Sequence, residues 1–179
     1  KWGAIGIVGK KTQGSRLNNL IIKNGSGGLI DNVYLYASLS INNTKNIEIS
    51  DLTMKKNFLY DDMMHIVYSS DSENINFSNI NIINSGNDGI DFMESESKLH
   101  KVHISNSKDK GISVGENSNI ELYDSKIINN NYGIVSKDDS LAILKNTEII
   151  GNDIQLAVYK KNWRYGKSGN IELYNVVLN

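Results

Sequence analysis

The sequence predicts an all-β protein, a right-handed parallel β-helix of about seven coils with roughly 22–24 residues per coil and no helical domain. Three observations carry the prediction. Apolar and polar residues alternate in short runs, as in Ile47-x-Ile49, Ile75-x-Phe77 and Ile120-x-Leu122, the period of a strand with one buried face. Gly89-Ile90-Asp91-Phe92, Gly111-Ile112-Ser113-Val114, Gly133-Ile134-Val135-Ser136 and Gln155-Leu156-Ala157-Val158 begin at a constant interval of 22. Asparagine and glycine punctuate the chain about every 6 to 8 residues, and both suit tight corners.

A unit of this length with two or three strands and no helix is one turn of a solenoid. Later stretches keep the same step: Ile120-Glu121-Leu122-Tyr123-Asp124 with Ala142-Ile143-Leu144-Lys145-Asn146, and Ile127-Ile128 with Ile149-Ile150. Upstream the period loosens. His65 opens a coil of about 24 residues with Ile75, Phe77, Ile80 and Ile82, and Leu39 opens one of about 26 residues. The first coil, from Ala4, is longer, and residues 25–37 are read as a loop or strand pair projecting from it. Between Gly89 and Lys110, Leu99, Val102 and Ile104 are expected to fall out of strict step with the next coil. An aromatic and basic loop is expected at 159–169. Seven coils make a rod roughly 30–35 Å long. The 179 residues read as one domain, expected to be a fragment of a larger protein with further domains at either end.

Composition narrows the function classes. There is no cysteine, hence no disulfide framework and no thiolate metal site. There is no proline, while isoleucine suits half-buried strands. A net charge of −1 with both signs interspersed gives no basic patch for nucleic acid. No apolar run approaches the roughly 20 residues of a membrane span. The chain opens at KWGAIGIVG without a signal-peptide pattern.

Stacking turns subtraction into geometry, because positions one period apart face the same way. Asp88, Lys110, Tyr132 and Ile154 should form one column, and Asp91, Ser113, Val135 and Ala157 a second. Glu94, Glu116, Asp138 and Lys160 should form a third, whose three carboxylates about 5 Å apart would suit Ca²⁺ or simply splay into water. Asp91 is the charged residue in the middle of a predicted strand, and it is read either as an acid–base group or as a surface partner of Lys110. His65, beside Asp61 and Asp62, is expected near Gly89, where it would act as general acid or base or as a metal ligand, or stand exposed. The candidate catalytic set is therefore Asp88, Asp91, His65 and Lys110. Trp163, Arg164 and Tyr165 with Lys160 are candidates for sugar stacking and anion pairing, or for a turn capping the last coil. Tyr34, Tyr36 and Tyr60 are expected to border the same groove.

The segments NSGNDGIDFMES (84–95), KDKGISVGENSNI (108–120), NNNYGIVSKDDS (129–140) and VYKKNWRYG (158–166) resemble the pectate-lyase-like right-handed β-helix superfamily. In particular they are similar to the β-helix segments of bacterial surface proteins, including those that accompany CotH-type domains. The resemblance covers about residues 39 to 166 and implies the fold. It carries no catalytic residue across, since the chain has neither a DPHE motif nor a pectin-lyase-type arginine motif. The resemblance and the columns lead to one expectation: an extracellular or cell-surface domain that recognises an anionic polysaccharide, and cleaves or epimerises it where the carboxylates act. The alternative is a non-catalytic stalk, scaffold or adhesin module of a surface or virion protein.

Overall fold

A computed structural model describes residues 2–58, 61–70 and 76–179; Tyr60 and Ile75 lie outside them. The chain winds as a right-handed parallel β-helix of seven coils. One wall is a seven-stranded parallel sheet of β1 (Ile5–Val8), β5 (Ala37–Asn42), β7 (Asp62–Val67), β9 (Ile90–Met93), β11 (Lys110–Gly115), β14 (Tyr132–Lys137) and β17 (Ile154–Tyr159). The rest of each coil belongs to a second parallel sheet. In the first coils it is one long strand: β2 (Arg16–Lys23), β6 (Glu48–Lys55), β8 (Phe77–Ile83) and β10 (Glu96–Ser105). Later it divides into two, β12 (Asn119–Tyr123) with β13 (Lys126–Ile128), then β15 (Leu141–Lys145) with β16 (Glu148–Ile150), then β18 (Asn170–Tyr174) with β19 (Val177–Leu178). An antiparallel hairpin, β3 (Gly28–Ile30) and β4 (Val33–Leu35), projects from the first coil.

The coil turns at corners where the backbone takes positive φ. One corner column includes Asn79 (53°), Asp124 (48°), Asn146 (51°) and Asn175 (54°); another includes Asn84 (60°), Asn106 (59°) and Asn129 (56°). Asparagine and aspartate enter this region at least cost among residues with a side chain, which explains their frequency here. Inside, Leu39, Met64, Ile90, Ile112 and Ile134 stack in one ladder, and Ile41, Ile66, Phe92 and Val114 in the next. A single coil cannot bury these side chains, so each depends on its neighbours.

The glycine of the repeated motif has a packing cause. A Cβ on Gly89 would sit 2.6 Å from both the Gly111 carbonyl oxygen and the Ile104 Cγ2. A Cβ on Gly111 would meet the Gly133 oxygen at 2.7 Å and also the Ile127 Cγ2. The obstacle is partly backbone of the next coil, which cannot swing aside. Gly111→Ala is therefore expected to cost about 2–3 kcal/mol and to lower the melting temperature by roughly 5–10 °C. A thermal melt followed by circular dichroism checks this.

The irregularity expected after Gly89 is present. Asp91 pairs with Ser113 at the regular step, but Leu99 pairs with Leu122 and Ile104 with Ile127, each one position further along. Glu116 and Asn117 are both in the left-handed region (53° and 59°), so the extra residue is absorbed at that corner.

Candidate functional site

The outward face of the first sheet carries the titratable groups. Ser40, His65, Asp91 and Ser113 lie in one column across four successive coils. The alternation that buries Met64 and Ile66 turns His65 out between them, and burial of Ile90 and Phe92 does the same for Asp91. His65 is in register with Asp91, not with the Gly89 expected from the sequence. The cause is coil length, since Met64 pairs with Ile90 and this coil is longer than those downstream.

His65 is only 8% exposed. Its Nε2 lies 3.6 Å from Asp91 Oδ2 and 3.2 Å from Met93 Sδ. The Tyr36 ring meets it edge-on at 5.9 Å. Burial lowers the imidazole pKa; Asp91 opposes that and Lys137 adds to it, so the ring is neutral at pH 7. Asp91 Oδ1 is buried and has no hydrogen-bond partner among the described residues.

Asp62 and Asp88 flank this column. Burial, then the charges of Asp91 and Asp88, push Asp62 up to about 8, although it accepts hydrogen bonds from Asn87 Nδ2 (2.8 Å) and the Asp88 amide (3.1 Å). Asp88 is raised to about 6 by burial and Asp91, with Lys110 pulling the other way. Its Oδ1 accepts from the Lys110 amide at 3.0 Å and from Lys110 Nζ at 3.4 Å. Lys110 Nζ also donates to Asp109. Burial works against the Lys110 ammonium, but Asp88 and Asp109 outweigh it and hold its pKa above the ordinary lysine value. Lys110 thus pairs with Asp88 and Asp109, not with Asp91.

Lys137 approaches from the other side. Its stem crosses Gly115, where any Cβ would collide with Lys137 Cε, and Nζ donates to Ser113 Oγ at 3.0 Å. Between the hairpin and the wall runs a groove of about 240 Å³, lined by Tyr34, Tyr36, Ser40, His65, Tyr68 and Met93.

Residues 37–175 match the sequence profile of the family described as right handed beta helix region. That match spans most of the chain and agrees with the coil architecture. The chain belongs to the right-handed β-helix family. No curated protein and no solved structure matches it.

The β-helix treats the calcium column differently from the expectation. Glu94, Glu116 and Asp138 occupy equivalent left-handed corners (44°, 53° and 54°), yet each goes its own way. Glu94 Oε1 accepts from the Tyr165 hydroxyl at 3.2 Å. Asp138, fully buried, accepts from the Lys161 and Asn162 amides at 2.7 and 2.8 Å. Glu116 is raised by burial, with Lys137 opposing and Asp91 and Asp138 adding. Among the described residues no group of three or more His, Cys, Asp or Glu is placed to hold a metal ion. Glu116 Oε2 and Asp138 Oδ2 are buried without a hydrogen-bond partner among the described residues.

Asp138 and Asp139 instead pin the 159–169 loop of the β-helix. Asp139 accepts from the Gly166 and Lys167 amides, both at 2.7 Å. Tyr165 crosses back to Glu94, and burial together with that carboxylate pushes its hydroxyl up to about 12. Lys160 Nζ closes the loop on the Gly166 carbonyl at 3.4 Å. Trp163 is left 84% exposed, with the Arg164 guanidinium 5.9 Å from its ring. Sequence reasoning missed Ser40 as a site residue and used Lys137 only as a neighbouring charge. A signal existed for the lysine, because Met93, Gly115 and Lys137 are spaced by 22 and the missing side chain between them makes room for a long one.

Proposed function

We propose that the outward face of the first sheet binds a linear anionic polysaccharide, and that the Asp91–His65 pair moves protons on it during cleavage or epimerisation. The observation that carries this reading is the pair itself: a buried neutral imidazole 3.6 Å from a carboxylate whose other oxygen is unpartnered among the described residues, beside a groove. A neutral imidazole takes a proton from a sugar carbon or hydroxyl at neutral pH, and the carboxylate favours the imidazolium that results. The basic rim of Lys160, Lys161, Arg164 and Lys167, with Lys137 on the wall, suits acidic sugar units. Trp163 offers a flat apolar face for a sugar ring. An extracellular or cell-surface setting, where such polymers are found, goes with this reading.

The test is a panel of purified uronate polymers and neutral polymers, followed by ultraviolet absorbance for unsaturated products and by calorimetry for binding. Binding to at least one acidic polymer, with preference over neutral ones, is expected. Trp163→Ala is expected to weaken that binding about tenfold, the size of one stacking contact. Silence across the whole panel sinks the proposal.

One observation favours the second reading, a non-catalytic binding or scaffold module. Lys110, a candidate catalytic group, is occupied by Asp88 and Asp109. A wall that binds polymer without changing it would support this alternative.

A further inference from the structure

The column that holds His65 and Asp91 begins one coil earlier with Ser40. Ser40 is in register with His65, and His65 with Asp91, so a hydroxyl, an imidazole and a carboxylate follow one another on adjacent strands. Adjacent strands are about 4.8 Å apart, within reach of these side chains. Three features together set Ser40 apart from a structural serine. Its Oγ is buried and has no hydrogen-bond partner among the described residues, a state shared with Ser38, Ser97 and Ser107 but not with Ser95, Ser118 and Ser140, whose hydroxyls accept amides of neighbouring coils. It lines the same groove as His65, Tyr34 and Tyr36. The imidazole beside it uses Nε2 toward Asp91 and Met93, which leaves Nδ1 with no partner among the described residues.

We propose that Ser40, His65 and Asp91 are a nucleophile, its base and the group that orients the base, and that the groove hydrolyses carboxylic esters carried by a polysaccharide. The polymer part rests on the binding reading above; the nucleophile does not. In the first step Ser40 Oγ bonds to the ester carbonyl carbon and passes its proton to His65 Nδ1. The carbon–oxygen bond to the sugar then breaks, and His65 returns the proton to the departing sugar hydroxyl. In the second step water adds to the acyl-Ser40 carbonyl and gives a proton to His65. The bond to Ser40 breaks, the carboxylic acid leaves, and the proton restores the serine. Ester and water become alcohol and acid, with no other reactant. Asp91 bonds neither substrate nor acyl group and favours the protonated ring in both steps. Asn42 faces outward two residues from Ser40, lines the same groove, and has an amide with no partner among the described residues. It is the candidate donor to the developing oxyanion.

The deciding experiment uses diisopropyl fluorophosphate, a small reagent without sugar, with peptide mass spectrometry. A phosphoryl adduct on Ser40 is expected, absent in Ser40→Ala and at least 100-fold slower to form in His65→Gln. Acetate release from acetylated pectin is measured alongside, with calorimetric binding to the deacetylated polymer and a melt of each variant. Ser40→Ala is expected to abolish acetate release and keep both binding and melting temperature. No adduct on Ser40, or acetate release unchanged in Ser40→Ala, overturns the proposal even if the polymer binds. An adduct on Ser40 with no binding to any polymer upholds the nucleophile and rejects the glycan reading instead.

Discussion

Asp91→Asn is expected to slow conversion of the bound polymer at least 100-fold while leaving its dissociation constant within about threefold, as for a lost acid–base partner. The change keeps shape and removes charge. His65 would face an amide in place of a carboxylate at 3.6 Å, so the imidazolium formed in the transition state loses its main stabilising charge. Folding should not suffer. The Asp91 charge raises the pKa of Asp62, Asp88 and Glu116, which means that it repels all three. Removing it relieves that repulsion, and the variant should melt no lower than the parent at pH 7. Turnover and binding measured on the same preparations separate the roles. Equal turnover would exclude Asp91 from the chemistry, and a parallel loss of binding would make it a contact residue.

The sequence made the columns legible because translation along the rod needs no knowledge of side-chain direction. The Asp91–Ser113–Val135–Ala157 row follows from a constant spacing, and each of its steps is in register. What it could not reveal was coil length upstream. Tyr68 and Lys56 turn corners in the left-handed region at 49° and 55°, and neither residue type announces a corner. The downstream period therefore places His65 beside Gly89 when its neighbour is Asp91, and hides the pairing that organises the candidate site. Side-chain fate at corners was equally opaque. Glu94, Glu116 and Asp138 share a column, but whether they converge on an ion or disperse depends on the 159–169 loop that returns to claim two of them. Ser40 gave no local signal at all, since buried serines are common here, Ser38, Ser97 and Ser107 also lack a partner, and only its place beside His65 in the groove distinguishes it.

Stability is expected to fall as pH rises from about 6.5 to 8, and Asp62→Asn to abolish most of that fall. The Asp62 pKa is 3.8 in the unfolded reference and about 8 in the fold, so across this interval the native state holds a proton that the unfolded chain has released. Raising the pH then favours unfolding, by at most ~1.4 kcal/mol per pH unit. Asp88 acts in the same sense but is spent near 6. His65 acts in the opposite sense, chiefly below about pH 7, because its lowered value makes the unfolded chain the better proton binder there. Above 6.5 Asp62 is left to dominate among these three, and the loss should reach about 2 kcal/mol by pH 8. An asparagine at 62 keeps the oxygen that accepts from Asn87 and the Asp88 amide, and carries no charge to desolvate. The variant should be the more stable protein at pH 8, and the gap should narrow steadily as pH falls and close only near 3.8, where the unfolded chain holds the proton too. Urea unfolding at several pH values measures both curves. A wild-type curve flat from 6.5 to 8 would mean that Asp62 is charged in the fold with a compensating partner, and the electrostatic account of the wall would fail with it.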